Sequence, residues 1–124
     1  MTDADIGAQL ARWGKVALIE TRGRRTGKAA RAAVGFIEEA DGSLLVAAGD
    51  PDADWARNLE ESPECVVTIG EHTGAFLAQA LDERERNAAI AALILRYGTP
   101  AERLGRGPGF RLRPAADPDA SPRP

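Results

Sequence analysis

Lys15 to Arg22 sets Val16 and Leu18 against Ala17 and Ile19, the two-residue alternation of a strand with two distinct faces. The same rhythm predicts strands at about Ala30–Glu38, Leu44–Ala48, Glu64–Ile69, Thr73–Leu81 and Phe110–Arg113. Short turns separate several of them: Gly23 to Lys28, Ala40 to Ser43 and Gly70 to His72. Three stretches follow the helical period instead. Residues 3–12 carry Ile6 and Leu10, with Trp13 beyond, at roughly helical spacing. Trp55 to Glu61 is a short helix ended by Ser62-Pro63, because a residue before proline avoids helical angles. Asp82 and Glu85 form a capping-box start, Ile90, Leu93, Ile94 and Tyr97 share one face, and Gly98 stands at the C-cap. Hairpin connections dominate this order. A mainly antiparallel β-barrel or curled sheet with flanking helices is therefore expected, not a parallel doubly wound sheet.

Composition sharpens the expectation. The 124 residues suffice for one domain, assigned to residues 1–113, and the eleven from Pro114 include four prolines, which predicts a disordered tail at 114–124. Apolar residues make up 44%, but 24 of them are alanine and only six are Phe, Trp or Tyr, so the core is thin in bulky side chains. Such a chain is expected to complete its core with a partner subunit or a bound ligand. The single Cys65 excludes a disulfide framework and fits a reducing compartment. The apolar run Ala88 to Leu95 is far too short for a membrane span, and Met1 to Asp5 lacks the basic and apolar regions of a signal peptide. These features predict a soluble cytoplasmic protein.

Charge is concentrated. The net charge is −3, yet Arg12 to Arg31 holds seven basic residues and one acidic, leaving nine basic and eighteen acidic elsewhere. An acidic protein with one basic segment suits a small anionic ligand better than a nucleic acid, and aromatic residues do not interleave these arginines.

Several chemistries fall away. The sole histidine, His72, lies in a predicted turn with no nucleophile motif around it, and Cys65 alternates with Val67 and Ile69 as a small core residue would. One histidine and one cysteine cannot make a two-histidine or cysteine-based metal site. Asp50, Asp52 and Asp54 lack the calcium-loop pattern and read more simply as an acidic loop capping the helix at Trp55. Gly105 to Gly109 follows no strand and opens no helix, so it reads as a flexible loop and not as a nucleotide fingerprint. What remains is Gly23 to Lys28, flanked by Arg22 and Arg31. Glycines there let backbone N–H groups converge, Thr26 offers a hydroxyl, and arginines bind phosphate oxygens in pairs. Spacing alone leaves two readings open: an anion cradle, or a solvated basic turn.

Leu18 to Lys28, with its Gly-Arg-Arg-Thr-Gly-Lys turn, resembles the corresponding segment of the deazaflavin-dependent nitroreductase family. Asp41 to Ala48, Trp55-Ala-Arg-Asn-Leu59 and Ser62 to Val67 resemble further segments of that family in the same order, and the likeness runs from about Leu18 to Tyr97. The resemblance implies a split β-barrel of the FMN-binding type that binds the deazaflavin coenzyme F420 and moves hydride to or from a small organic substrate. It implies that Arg24, Arg25, Thr26 and Gly27 hold the phosphate-bearing tail of the cofactor, with Ala32, Ala33, Val34 and Gly35 lying along it. Ala47, Ala48 and Gly49 would face the deazaflavin ring, and Trp55 and Asn58 would close the site. It also accounts for the missing acid–base constellation, since in hydride transfer the cofactor carries the reaction. A homodimer is expected, with the second copy covering part of the sheet.

Four departures qualify this. Gly35 stands where the family often has a tyrosine, Gly49 where it has a hydroxyl residue, and Ala29 where it has a proline. The segment after Tyr97 lacks the tyrosines that line the family's substrate pocket. No catalytic side chain is assigned. Two alternatives remain: an FMN-binding oxidoreductase of the same fold, or a non-catalytic cofactor-binding protein.

Overall fold

In the computed structural model, which describes residues 14–49, 52–98 and 107–115, seven strands make one antiparallel sheet. They are β1 (Ala17–Arg22), β2 (Ala29–Val34), β3 (Ile37–Glu38), β4 (Leu44–Ala47), β5 (Glu64–Ile69), β6 (His72–Ala80) and β7 (Gly109–Pro114). Helix α1 (Asp54–Glu61) follows β4, and α2 (Glu83–Tyr97) follows β6. The sheet order is β2-β1-β5-β6-β7-β4-β3.

That order forces a curl. The edge strands β2 and β3 are consecutive in the chain, with only Gly35 and Phe36 between them. A flat sheet would hold its edges about 29 Å apart, whereas a two-residue link reaches at most about 11 Å. The sheet must therefore bend into a barrel that is open along one seam, the split β-barrel. Tyr97 ties α2 to the start of β1 and the end of β2. Its hydroxyl accepts from the Phe36 N–H at 3.1 Å and donates to the Lys15 carbonyl at 2.8 Å.

The single strand expected over 30–38 is accordingly broken at Gly35 into β2 and β3. His72 is the first residue of β6, paired with Ile69, and not part of the turn. β7 continues through Pro114, one residue past the expected domain boundary, and the Ala115 N–H donates to the Ala75 carbonyl at 2.9 Å. The expected helix over 3–12 and residues 116–124 of the expected tail lie outside the described residues.

Inward-facing residues of β1, β4, β5 and β7 meet α1 in the main core: Ala17, Ile19, Leu44, Val46, Ala56, Leu59, Val67, Phe110 and Leu112 are buried together. A second cluster seats α2 on β3 and β4, with Leu93 buried against Ala47 and flanked by Ile37, Ile90, Ile94 and Tyr97. This is the face the helical spacing predicts, and it covers an edge of the sheet that would otherwise be bare. The capping box is formed as expected: Asp82 Oδ1 accepts from the Glu85 N–H at 2.7 Å.

Candidate cofactor site

The basic turn is a six-residue loop between β1 and β2. The Gly23 N–H donates to the Lys28 carbonyl and the Gly27 N–H to the Gly23 carbonyl, both at 2.8 Å, which folds the loop tightly. Gly27 has φ 74°, a left-handed conformation that a Cβ would strain. Thr26 Oγ1 accepts from the Lys28 N–H at 3.2 Å, leaving its own proton available. Arg22, Arg25, Thr26 and Lys28 are exposed.

Arg24 differs from its neighbours. Its N–H and its guanidinium both donate to Asn58 Oδ1, at 3.2 and 2.9 Å. The guanidinium also reaches the Asp54 carbonyl at 3.4 Å and the Asp54 carboxylate at 3.2 Å. The side chain is left 16% exposed. Asn58 itself is 2% exposed, and its amide nitrogen donates to Thr21 Oγ1 at 3.0 Å. Arg24 and Asn58 are thus brought together, but Asn58 is a buried junction and not an open wall of the site. Asp54 begins α1 without capping it: the N-cap is Ala53, with no side-chain bond, and the Asp54 carboxylate serves Arg24 instead.

β2 alternates its faces. Ala30, Ala32 and Val34 are half-buried, whereas Ala33 is exposed, so the four residues expected along the cofactor divide between two sides. Gly35 packs under the Tyr97 ring, where a Cβ would stand 2.9 Å from Cε2. An aromatic ring therefore does occupy this position, supplied by α2 and not by β2. Ala47 and Ala48 are buried and Gly49 is exposed. The Ala48 N–H donates to the Pro108 carbonyl at 2.9 Å, and the Ala48 carbonyl sits where a Gly107 Cβ would be. The segment read as a flexible loop thus backs the end of β4 through Gly107 and Pro108. Trp55 is half-buried, its ring tilted 58° against Phe110 at 6.0 Å between centroids.

Sequence reasoning missed Thr21, Tyr97 and Gly107. Thr21 alone carried a signal, being a polar residue on the buried face of an apolar strand, 2% exposed.

The remaining candidates for chemistry are quiet. Cys65 is 5% exposed, and burial pushes its thiol up to about 11, so it is not a ready nucleophile. Among the described residues no three His, Cys, Asp or Glu side chains converge as a metal site. A groove of about 830 Å³ runs past Arg22, Gly27, Ser62, Val66 and Leu77, and a cavity of about 500 Å³ is lined by Phe36, Leu44, Val67 and Phe76. Gly27 is the one expected contact residue lining the groove, and none lines the cavity.

The fold has solved relatives. HutZ, a heme storage protein of Vibrio cholerae, is 20% identical over 93% of this chain and 91% of its own, with a TM-score of 0.68. An F420-H2-dependent reductase, FDR-A, is 24% identical over 80% of this chain and 94% of its own, also at 0.68. A chain described as a domain-swapped dimer is 21% identical over 89% and 96%, at 0.67. At these identities the likeness establishes the split-barrel architecture alone. No curated protein sequence matches significantly. The family model for F420H(2)-dependent quinone reductase matches residues 1–102, a span that includes the basic turn, β2, the end of β4 and α1. With the fold and that span in agreement, the chain belongs to the F420H(2)-dependent quinone reductase family and is an oxidoreductase that works with coenzyme F420.

Proposed function

We propose that this chain passes hydride from reduced F420 to a small organic acceptor of the quinone or nitroaromatic type, with the anionic tail of the cofactor held by the 24–28 turn. The observation that carries this reading is a tightly folded loop presenting Arg25 and Lys28, exposed and without an ion pair among the described residues. Both cations remain for phosphate or carboxylate oxygens, and the Thr26 hydroxyl can donate beside them. This donor set fits a phosphate-bearing tail. Ala32 and Val34 flank the path on one side of β2, and Gly49 with Trp55 borders the ring, above the buried Ala47 and Ala48. Bound there, the deazaflavin supplies the hydride chemistry. The protein's part is to bind, orient and shield it, which needs no acid–base side chain. Small residues along β2 and the exposed Gly49 after β4 let a flat ring approach backbone.

Fluorescence titration with F420 tests this reading, with FMN titrated in parallel. Arg25→Ala with Lys28→Ala is expected to weaken F420 binding by roughly 2–4 kcal/mol, as loss of two charge-assisted contacts would. Absence of F420 binding by the unaltered protein, or preference for FMN, overturns it. Consumption of reduced F420 in the presence of quinones and nitroaromatics then identifies the acceptor class.

We further propose a cytoplasmic homodimer. Val66 and Leu77, 38% and 44% exposed, share the outer face of β5 and β6 and suit coverage by a second copy. No helix among the described residues is long and apolar enough to cross a membrane.

A further inference from the structure

Asn58 spends both ends of its amide inside the protein: Oδ1 on the N–H and guanidinium of Arg24, Nδ2 on Thr21. We infer that it is a positioning residue for the anionic tail of the cofactor, acting through Arg24 without touching the cofactor. The inference rests on the 24–28 turn being the tail site.

Three features support it. First, Asn58 lies within α1 and Thr21 lies on β1, so the bonds lock the turn to two rigid elements at once. Second, Arg24 is held by backbone and side chain together, and Asp54 one turn earlier on α1 completes the clamp. A residue fixed in this way cannot swing out to a ligand without breaking several hydrogen bonds. Its neighbours Arg25 and Lys28, on the same tight loop, are thereby presented in one arrangement, and a preorganised loop loses less entropy on binding. Third, the buried partner of Arg24 is a neutral amide. It orients the guanidinium while leaving its charge intact, and the carboxylate that pairs with it, Asp54, is 81% exposed and well screened by water. The turn keeps a positive potential that a buried aspartate at position 58 would cancel.

The test compares two probes on the full-length protein by fluorescence: complete F420, and a deazaflavin carrying the ring and ribityl chain but no phosphate tail. Asn58→Leu and Arg24→Ala are each expected to weaken F420 about tenfold while shifting the tail-less probe less than about twofold, the cost of one interaction no longer preorganised. The double variant should add little to either single one, because both break the same clamp. Asn58→Asp, which keeps the acceptor but neutralises Arg24, should also weaken F420 selectively. Equal losses on both probes would reduce Asn58 to a stabilising role and overturn the inference, as would unchanged F420 affinity in both single variants. Should Asn58→Leu fail to fold, Arg24→Ala decides. Arg25→Ala with Lys28→Ala separates the two levels. If that pair leaves F420 binding intact, the tail reading itself fails. If it weakens F420 while the Asn58 and Arg24 variants do not, only the positioning role fails.

Discussion

At Gly35 there is no room for a methyl group. The Tyr97 ring covers this residue, and its hydroxyl bridges the Phe36 N–H and the Lys15 carbonyl, which face each other just beyond the β1–β2 pairing. Gly35→Ala must push the ring away and is expected to cost about 1–3 kcal/mol by urea denaturation. Tyr97→Phe keeps the packing but strands the Phe36 N–H, at an expected cost of about 1–2 kcal/mol in the same measurement. Cys65 offers a different check. With its thiol buried and its pKa near 11, it should resist disulfide reagents at neutral pH in the folded protein and react fully once denaturant is added. Rapid native labelling would show that the site opens. Neither Gly35 nor Tyr97 announced its role in the sequence. They are 62 positions apart, and only the packing of α2 on β3 and β4 makes them neighbours.

Element by element, Arg111 of β7 links the sheet to α2. Its guanidinium binds Glu39 at 2.7 Å and Glu85 at 2.9 Å, so one side chain joins β7, the turn after β3 and the first turn of α2. The Arg111 guanidinium, with help from the Asp82 N–H, holds the Glu85 carboxyl below the usual glutamate range. A lowered folded-state pKa makes the folded state bind protons less readily than the unfolded chain. The stabilisation is therefore complete above the ordinary glutamate value and is lost as pH falls through the lowered one. Glu85→Gln should flatten that acid-side loss while reducing stability at neutral pH, measured as urea midpoints across an acid titration; an unchanged profile would show that the pair contributes nothing. Helix α2 itself was legible because its capping box, apolar face and terminal Gly98 are local signals. α1 was legible in extent, but its acidic start was misread. Asp54 points its charge at Arg24, 30 residues away, and no local pattern records that.

For the whole molecule, the thin bulky-residue content and the exposed Val66 and Leu77 bear on assembly. If a second copy covers β5 and β6, Leu77→Arg should convert a dimer to a monomer in sedimentation velocity, without changing the helix and strand content seen by circular dichroism. A wild-type protein that sediments as a monomer at all concentrations would refute the dimer. The sequence by itself determined the strands other than the break at Gly35, the helices α1 and α2 and the glycine-bounded basic turn, because each is encoded in residues close together along the chain, and its run of motifs gave the kinship that names the cofactor. Tertiary structure alone decided that the two sheet edges meet at Gly35, that Tyr97 supplies the ring over that position, and that Asn58 is bound to Arg24 and Thr21. These contacts join residues 34 to 62 positions apart: the packing of α1 on β1 brings Asn58 to Arg24 and Thr21, and the packing of α2 on β3 and β4 brings Tyr97 over Gly35.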